Sequence, residues 1–174
     1  NYDPSQGGGD GEYTITNNTT EEAKDTIYVE LGGELTINGT GTVDNVSHGK
    51  AAIFNNGTVT LNGGKYTRSE ENGSSTESSG GNSYYNILNH GVMTINEGVT
   101  VEQDGAFSSL IDNGYFSYTN TNERSGYVAG RNQAEPKLTI NGGTFSGGIN
   151  TIKNDDGAEL VIYDGLITNV TQAA

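Results

Sequence analysis

Residues 52–64, which read AIFNNGTVTLNGG, contain the repeat that predicts the fold of this chain. The second half of this stretch occurs five times as Leu-Thr-Ile-Asn or a close variant, beginning at residues 35, 59, 93, 138 and 160. The first half occurs at residues 53–57, 87–91, 110–114 and 152–154 and, in looser form, at 29–33. A third short apolar segment follows each copy, at residues 42–43, 65–67, 99–101, 144–146 and 166–168. The chain therefore repeats a unit of three short strands five times.

The spacing of the repeats predicts a coil with three strands per turn. Ile37 and Leu61 are 24 residues apart and Ile140 and Ile162 are 22 apart, which is one turn of a three-sided parallel β-helix. The two middle spacings are longer, at 34 residues from Leu61 to Ile95 and 45 from Ile95 to Ile140. We therefore expect two inserts, at about residues 68–83 and 115–136, because turns on a constant repeat tolerate added length.

Alternation within the strands predicts which side chains face the interior. In a strand, successive side chains point to opposite faces, so Leu and Ile of Leu-Thr-Ile turn inward and Thr turns outward. One inward column is expected to hold Ile37, Leu61, Ile95, Ile140 and Ile162. Two columns of corner residues are expected to form stacked amide ladders: Asn55, Asn89, Asp112 and Asn154 in one, and Asn38, Asn62, Asn96 and Asn141 in the other.

These patterns predict an all-β fold, a right-handed single-stranded parallel β-helix of about five turns with two loop insertions. The first 12 residues, which include the run Gly7-Gly8-Gly9, are expected to be a flexible leader. The β-helical domain should span residues 13–174, with an N-terminal cap at about 13–26. Within that cap, residues 19–24 could form one capped helical turn.

Composition narrows the partners that this chain could bind. It has 22 acidic against 8 basic residues and a formal net charge of -14, a field that repels nucleic acid and anionic lipid. There is no Cys, so disulfides and thiolate metal sites are excluded. No apolar run approaches the length of a membrane span, so membrane insertion by this segment is not expected.

The alternation in residues 52–64 resembles that of right-handed parallel β-helix adhesin-like surface repeat proteins of gut Firmicutes and methanogens. The resemblance covers about residues 27–168. It implies a fragment of a larger secreted protein on the bacterial cell surface, a non-catalytic adhesin-like binding or scaffold module. The partner that it implies is a host or microbial surface glycan or protein. The same fold also serves polysaccharide lyases, so a fragment of a lyase or hydrolase, or a pure stalk, remains an alternative.

Candidate ligand-binding residues lie around the two inserts. Seven of the fourteen Tyr and Phe residues fall between residues 84 and 127, namely Tyr84, Tyr85, Phe107, Tyr115, Phe116, Tyr118 and Tyr127. Both inserts border the face formed by the first strands, where alternation is expected to turn Phe54, Leu88 and Ile111 outward. The inserts could bury this apolar stripe, or they could form a groove with exposed Tyr rings that bind sugar or protein. The candidate residues are therefore Phe54, Leu88 and Ile111 with Tyr84, Tyr85, Tyr115, Tyr118 and Tyr127.

Catalysis, metal binding and cofactor binding are not expected. A lyase needs clustered carboxylates or a metal beside a base, whereas the basic residues here are scattered. The adjacent acids Glu70-Glu71 and Asp155-Asp156 are expected to be solvated surface charge. His48 and His90 have no obvious Ser or Asp partner in the sequence.

Overall fold

A computed structural model describes residues 14–17, 25–45, 51–68, 85–103, 109–114, 136–155 and 157–169. The regular secondary structure of these residues consists of strands alone. They are β1 (Thr14–Asn17), β2 (Ile27–Val29), β3 (Glu34–Ile37), β4 (Thr42–Asn45), β5 (Ile53–Asn55), β6 (Thr58–Leu61), β7 (Gly64–Thr67), β8 (Ile87–Asn89), β9 (Val92–Ile95), β10 (Val99–Gln103), β11 (Ile111–Asn113), β12 (Lys137–Ile140), β13 (Thr144–Gly147), β14 (Ile152–Asn154), β15 (Glu159–Ile162) and β16 (Leu166–Thr168).

The strands form three parallel sheets, which confirms the predicted parallel β-helix of five turns. Sheet 1 has the order β2-β5-β8-β11-β14, and sheet 2 has the order β3-β6-β9-β12-β15. Sheet 3 has the order β1-β4-β7-β10-β13-β16. Each turn contributes one strand to every sheet, and β1 adds a strand to sheet 3 before the first turn. The right-handed sense of the coil stays a prediction, supported by the strong preference for right-handed crossovers between parallel strands.

The interior is built from columns of apolar side chains in register. The predicted column on sheet 2 is confirmed, because Ile37 pairs with Leu61, Leu61 with Ile95, Ile95 with Ile140 and Ile140 with Ile162. Leu61, Ile95 and Ile140 are fully buried. Sheet 3 contributes the largest interior residues, including Tyr66 and Phe145. Burying each such side chain stabilises the fold by about 1.5–3 kcal/mol before the entropy of ordering is counted.

A ladder of Asn side chains runs inside the coil along sheet 1. We call Asn55, Asn89, Asn113 and Asn154 the inner Asn ladder. The Nδ2 of Asn55 donates to Oδ1 of Asn89 at 2.8 Å, and Asn89 donates to Asn113 at 2.8 Å. Asn113 in turn donates to Asn154 at 2.7 Å. Because the amides of Asn55, Asn89 and Asn113 are fully buried, these bonds satisfy polar groups that water cannot reach.

The prediction that Asp112 belongs to this ladder is wrong. The register places Asp112 beside Leu88 and places Asn113 beside Asn89. Leu110 and Ile111 are two consecutive apolar residues, so the local pattern fits two registers. The hydrogen bonds of Asn113 select one of them.

A second ladder lies on the surface at the end of sheet 2. We call Asn38, Asn62, Asn96 and Asn141 the outer Asn ladder, and it is confirmed by side-chain bonds of 2.7–2.8 Å. Its bonds are exposed, and each Nδ2 donates to the preceding turn rather than to the following one. The two ladders therefore run in opposite directions along the coil.

Close stacking of successive turns requires Gly at some corners. A Cβ on Gly91 would lie 2.2 Å from the carbonyl oxygen of Gly57, and a Cβ on Gly57 would lie 2.2 Å from that of Gly33. No real Cβ tolerates such a distance. The Gly that follows the first strand is thus required by the approach of the turn before it.

The first turn differs from its sequence prediction. Its first strand is Ile27–Val29, in register with Ile53–Asn55, and not the predicted segment 29–33. The predicted cap contains the strand β1, which pairs with β4. The predicted helical turn at residues 19–24 lies outside the described residues, as do the leader and nearly all of both inserts.

Candidate functional site

The outward face of sheet 1 carries the residues from which a site could be built. The register aligns its outward column as Tyr28, Phe54, Leu88, Asp112 and Lys153. The prediction that Ile111 points outward is wrong, because Ile111 is fully buried and aligns with the inward residues Ile53 and Ile87. The outward position of that turn is occupied by the carboxyl of Asp112 instead. The column therefore changes from aromatic to ionisable residues along the coil.

The aromatic half of this column is held in a fixed arrangement. We call Tyr28, Phe54 and His90 the aromatic row. The rings of Tyr28 and Phe54 meet edge to face at 5.1 Å, and those of Phe54 and His90 meet at 5.0 Å with an interplanar angle of 89°. The hydroxyl of Tyr28 accepts a hydrogen bond of 3.0 Å from Nδ2 of Asn56. Tyr28 nevertheless remains 42% exposed, so a ring with restrained orientation faces solvent.

His90 closes the aromatic row as a neutral ring. It directly follows β8, at the place that Asn56 occupies one turn earlier, and its backbone N–H donates to the carbonyl of Asn55 at 2.8 Å. The side chain is fully buried, and this desolvation lowers the pKa of His90 to about 3. At neutral pH the imidazole is therefore uncharged and contributes to packing against Phe54.

The ionisable half of the column forms a cluster of four side chains. We call Tyr85, Asp112, Lys153 and Asp155 the acid cluster. Tyr85 and Asp155 both hydrogen-bond to the Asp112 carboxyl, and Nζ of Lys153 lies 2.6 Å from Oδ2 of Asp155. Asp155 is thus paired with Lys153, and its side chain is only 13% exposed. The prediction that Asp155 is a solvated surface charge is therefore wrong. Its neighbour Asp156 lies outside the described residues.

Burial raises the pKa of Asp112 to about 7. The charge of Lys153 lowers this pKa, while the charge of Asp155 raises it. A protonated Asp112 can donate a hydrogen bond to the neighbouring Asp155 side chain. The cluster links the fourth turn, through Asp112, to the fifth, through Lys153 and Asp155.

The Asp112 carboxyl combines a raised pKa with nearly complete burial. A carboxyl with a pKa near 7 has the proton affinity of a general acid. However, Asp112 is 2% exposed and Tyr85 is 7% exposed, so the Asp112 carboxyl has little surface that a substrate could contact. Across the described ranges, no three His, Asp or Glu side chains converge as a metal site would require. The arrangement can hold a proton, and its geometry favours a structural role.

Of the predicted ligand-binding residues, Phe54 and Leu88 lie on the outward face and are half-buried. Tyr85 is buried against Asp112. Four others, Tyr84, Tyr115, Tyr118 and Tyr127, lie outside the described residues, as do Phe107 and Phe116.

Sequence reasoning missed Tyr28, the packing of His90 against Phe54, and the acid cluster, of which only Tyr85 was a predicted site residue. A first-strand copy aligned at Ile27 would have placed Tyr28 beside Phe54, so the signal was present in the period-two pattern. The acid cluster joins residues of separate turns, and the sequence shows no local signal for it.

Comparison with protein-family models, with curated proteins and with solved structures gives no match. Within the part of the chain that the structure describes, no helix has the length and hydropathy needed to cross a membrane.

Proposed function

We propose that this chain is a non-catalytic, adhesin-like binding and scaffold module of an extracellular bacterial surface protein. Its partner is a surface glycan or protein, which it contacts through the outward face of sheet 1. The observation that carries the proposal is the aromatic row, whose Tyr28 ring is restrained by Phe54 and Asn56 and still exposed.

The coil supports this role because it holds its surface rigid. Three parallel ladders of backbone hydrogen bonds fix every strand, and the inner Asn ladder ties neighbouring turns together. A Tyr ring that is already restrained loses little entropy on binding, and its apolar face with a polar edge suits sugars and peptides alike. By contrast, the middle outward column of sheet 2 is Thr36, Thr60, Thr94 and Thr139, which offers no aromatic anchor.

The stalk alternative draws support from the other half of the same face. Leu88 is half-buried. Asp112 holds an outward position but is 2% exposed, and His90 lies at a corner but is fully buried. Only the turns around Tyr28 therefore present an open aromatic surface among the described residues of this face. The binding proposal depends on that surface.

A matched pair of variants tests the proposal. Glycan arrays and surface-protein libraries are screened with the wild-type chain, and Tyr28→Ala and Tyr163→Ala are then compared on each hit. Tyr163 is 75% exposed on the fifth turn, far along the coil, so it controls for removal of a surface Tyr. We expect Tyr28→Ala to weaken binding at least tenfold with little change in melting temperature, since aromatic anchors dominate interfaces.

Tyr28→Phe separates the ring from the hydroxyl and should retain most of the binding. If Tyr28→Ala and Tyr163→Ala weaken binding equally, or if neither weakens it, the outward face of sheet 1 is not the binding face. If no ligand binds the wild-type chain in any screen, the stalk alternative replaces the proposal.

A further inference from the structure

The outer Asn ladder places chemically reactive Asn-Gly pairs at the surface. Asn38, Asn62 and Asn141 are each followed by Gly, whereas Asn96 is followed by Glu. An Asn-Gly pair can deamidate without an enzyme, because the backbone nitrogen after Asn attacks the side-chain amide and Gly has no Cβ to hinder the attack. Asn62 and Asn141 are both exposed, and each has a described turn on either side, so their surroundings can be compared directly.

The stacking of the turns requires both members of such a pair. The amide of Asn62 is needed for the ladder, since its Nδ2 donates to Oδ1 of Asn38 at 2.8 Å. The following Gly is needed for close approach, because a Cβ on Gly63 would lie 2.4 Å from the carbonyl oxygen of Gly39. A Cβ on Gly142 would likewise lie 3.1 Å from the backbone of the turn before it. The geometry that joins the turns therefore also maintains the reactive pairs.

The ladder holds Asn62 more firmly than Asn141. Asn62 is bonded on both sides, since its Nδ2 donates to Asn38 and its Oδ1 accepts from Asn96 at 2.7 Å. Nδ2 of Asn141 donates to Asn96 at 2.8 Å, but the register places Tyr163 at the next ladder position. Tyr163 is 75% exposed, and among the described residues no side chain donates to Oδ1 of Asn141. Asn141 thus has one ladder bond where Asn62 has two.

The Asn-Gly pairs that follow the strands of sheet 1 are protected at the attacking nitrogen. The N–H of Gly57 donates to Oδ1 of Asn55 at 2.8 Å, and the N–H of Gly114 donates to the carbonyl of Asn89 at 2.9 Å. Each of these nitrogens is therefore already engaged as a donor. In the described part of the chain the N–H of Gly142 makes no hydrogen bond.

We propose that Asn141 of the folded chain is a site of spontaneous deamidation, a reaction that the ladder suppresses at Asn62. The Gly142 nitrogen gives its proton to solvent and attacks Cγ of Asn141, the Cγ–Nδ2 bond breaks, and ammonia leaves. Water then opens the resulting succinimide at either carbonyl carbon, which leaves aspartate or isoaspartate at position 141. The attack requires Cγ to approach the nitrogen to about 3–3.5 Å. The amide rotation that brings it there breaks the ladder bonds, so a second bond slows the reaction.

The product is expected to weaken the ladder. A carboxylate at position 141 cannot donate to Oδ1 of Asn96, so the present bond of 2.8 Å would become a contact between two oxygen atoms. Isoaspartate also lengthens the backbone by a methylene group between β12 and β13. The modification therefore loosens the corner between these two strands.

Peptide mapping by mass spectrometry tests the site. The folded chain is incubated in mildly alkaline buffer, and the deamidated fraction is followed at Asn62 and Asn141. We expect Asn141 to react about fivefold faster, the factor that one net hydrogen bond supplies. In denaturant the two residues should react at similar rates, because neither then has a ladder. Equal rates in the folded chain would overturn the proposal.

Tyr163→Asn tests the cause of the difference. The new amide supplies the missing donor, so the rate at Asn141 should fall to that of Asn62. Tyr163→Ala removes the ring without adding an amide and should leave the rate unchanged, while melting curves verify that both variants keep the fold. If Tyr163→Asn leaves the rate at Asn141 unchanged, or if Tyr163→Ala lowers it equally, a missing ladder bond does not control deamidation and the proposal fails.

Discussion

The outward faces of sheets 1 and 2 belong to the same five turns but carry different chemistry. On sheet 2 the middle outward column is Thr36, Thr60, Thr94, Thr139 and Val161, all at least partly exposed. On sheet 1 the matching column ranges from Tyr28, 42% exposed, to Asp112, 2% exposed. The inward sides of the two sheets are more alike, since both carry aliphatic columns, although on sheet 1 the inner Asn ladder runs beside the aliphatic column. The packing of the inward columns thus determines the coil, while the outward positions can differ in residue type between the sheets.

The largest effect is expected where an inward position is made charged. Ile95→Asp places an unpaired carboxylate between Leu61 and Ile140, and the cost of burying it exceeds the stability of a domain of this size. We expect no cooperative melting and no soluble folded protein. The control is Thr94→Asp on the same strand, whose side chain points outward, and it should change stability by less than about 1 kcal/mol. A normally melting Ile95→Asp variant would show that the register is wrong.

The next largest loss of stability is expected in the inner Asn ladder, for which the outer Asn ladder is the comparison. Asn89→Ala removes a fully buried amide and leaves the Asn55 donor and the Asn113 acceptor without their partner. Such a change should cost about 2 kcal/mol or more. Asn96→Ala in the outer ladder makes the same change at the surface, where water replaces the lost bonds, and should cost less than about 1 kcal/mol. Chemical denaturation of both variants measures the difference, and equal costs would contradict a ladder that is stabilised by burial.

The coil was predictable from sequence because its signal repeats. Ile37, Leu61, Ile95, Ile140 and Ile162 hold the same place in five copies, so a local ambiguity in one copy is corrected by the others. The register at Leu110–Asn113 was not predictable from that copy alone, because Leu110 and Ile111 are equally apolar. The long-range bonds from Asn89 to Asn113 and from Asn113 to Asn154 decide it.

The site was less predictable because it depends on contacts between turns. Phe54 and Leu88 were placed outward correctly by alternation. Asp112 and Asp155, in contrast, meet only because two turns stack, and nothing within either segment signals the raised pKa of Asp112. The burial of His90 likewise follows from its surroundings and not from its neighbours in sequence.

A smaller effect is the loss of stability at acidic pH that the burial of His90, in the aromatic row, causes. Because the pKa of His90 falls from 6.5 to about 3 in the folded chain, the unfolded state binds more protons between these values. His90 therefore makes the fold lose stability as the pH drops from 6.5 towards 3. His90→Asn copies the residue found at position 56 and should remove this acid sensitivity. Melting temperatures at pH 7, 5.5 and 4 measure the slope, and a variant with the wild-type slope would contradict a buried neutral imidazole.

The acid cluster changes stability with pH in the opposite direction to His90, and this effect is the last one considered. The pKa of Asp112 rises from 3.8 to about 7 on folding, so the folded state holds an extra proton between these values. Its contribution to stability is fully present below about pH 4 and is lost as the pH rises through 7. In wild-type protein this gain on acidification partly cancels the loss from His90, because the two pH windows overlap.

Asp112→Asn keeps the shape of the protonated acid and removes the titration. At pH 8 the variant should melt a few degrees above wild type, because the buried charge is gone while Tyr85 and Asp155 keep a partner. Between pH 7 and 4 it should lose stability more steeply than wild type, since the opposing contribution of Asp112 is gone while that of His90 remains. Thr139→Asn, an outward change on sheet 2 in the same turn, is the control and should leave the pH dependence unaltered. If Asp112→Asn and wild type show parallel curves from pH 8 to 4, the acid cluster does not hold its proton near neutrality.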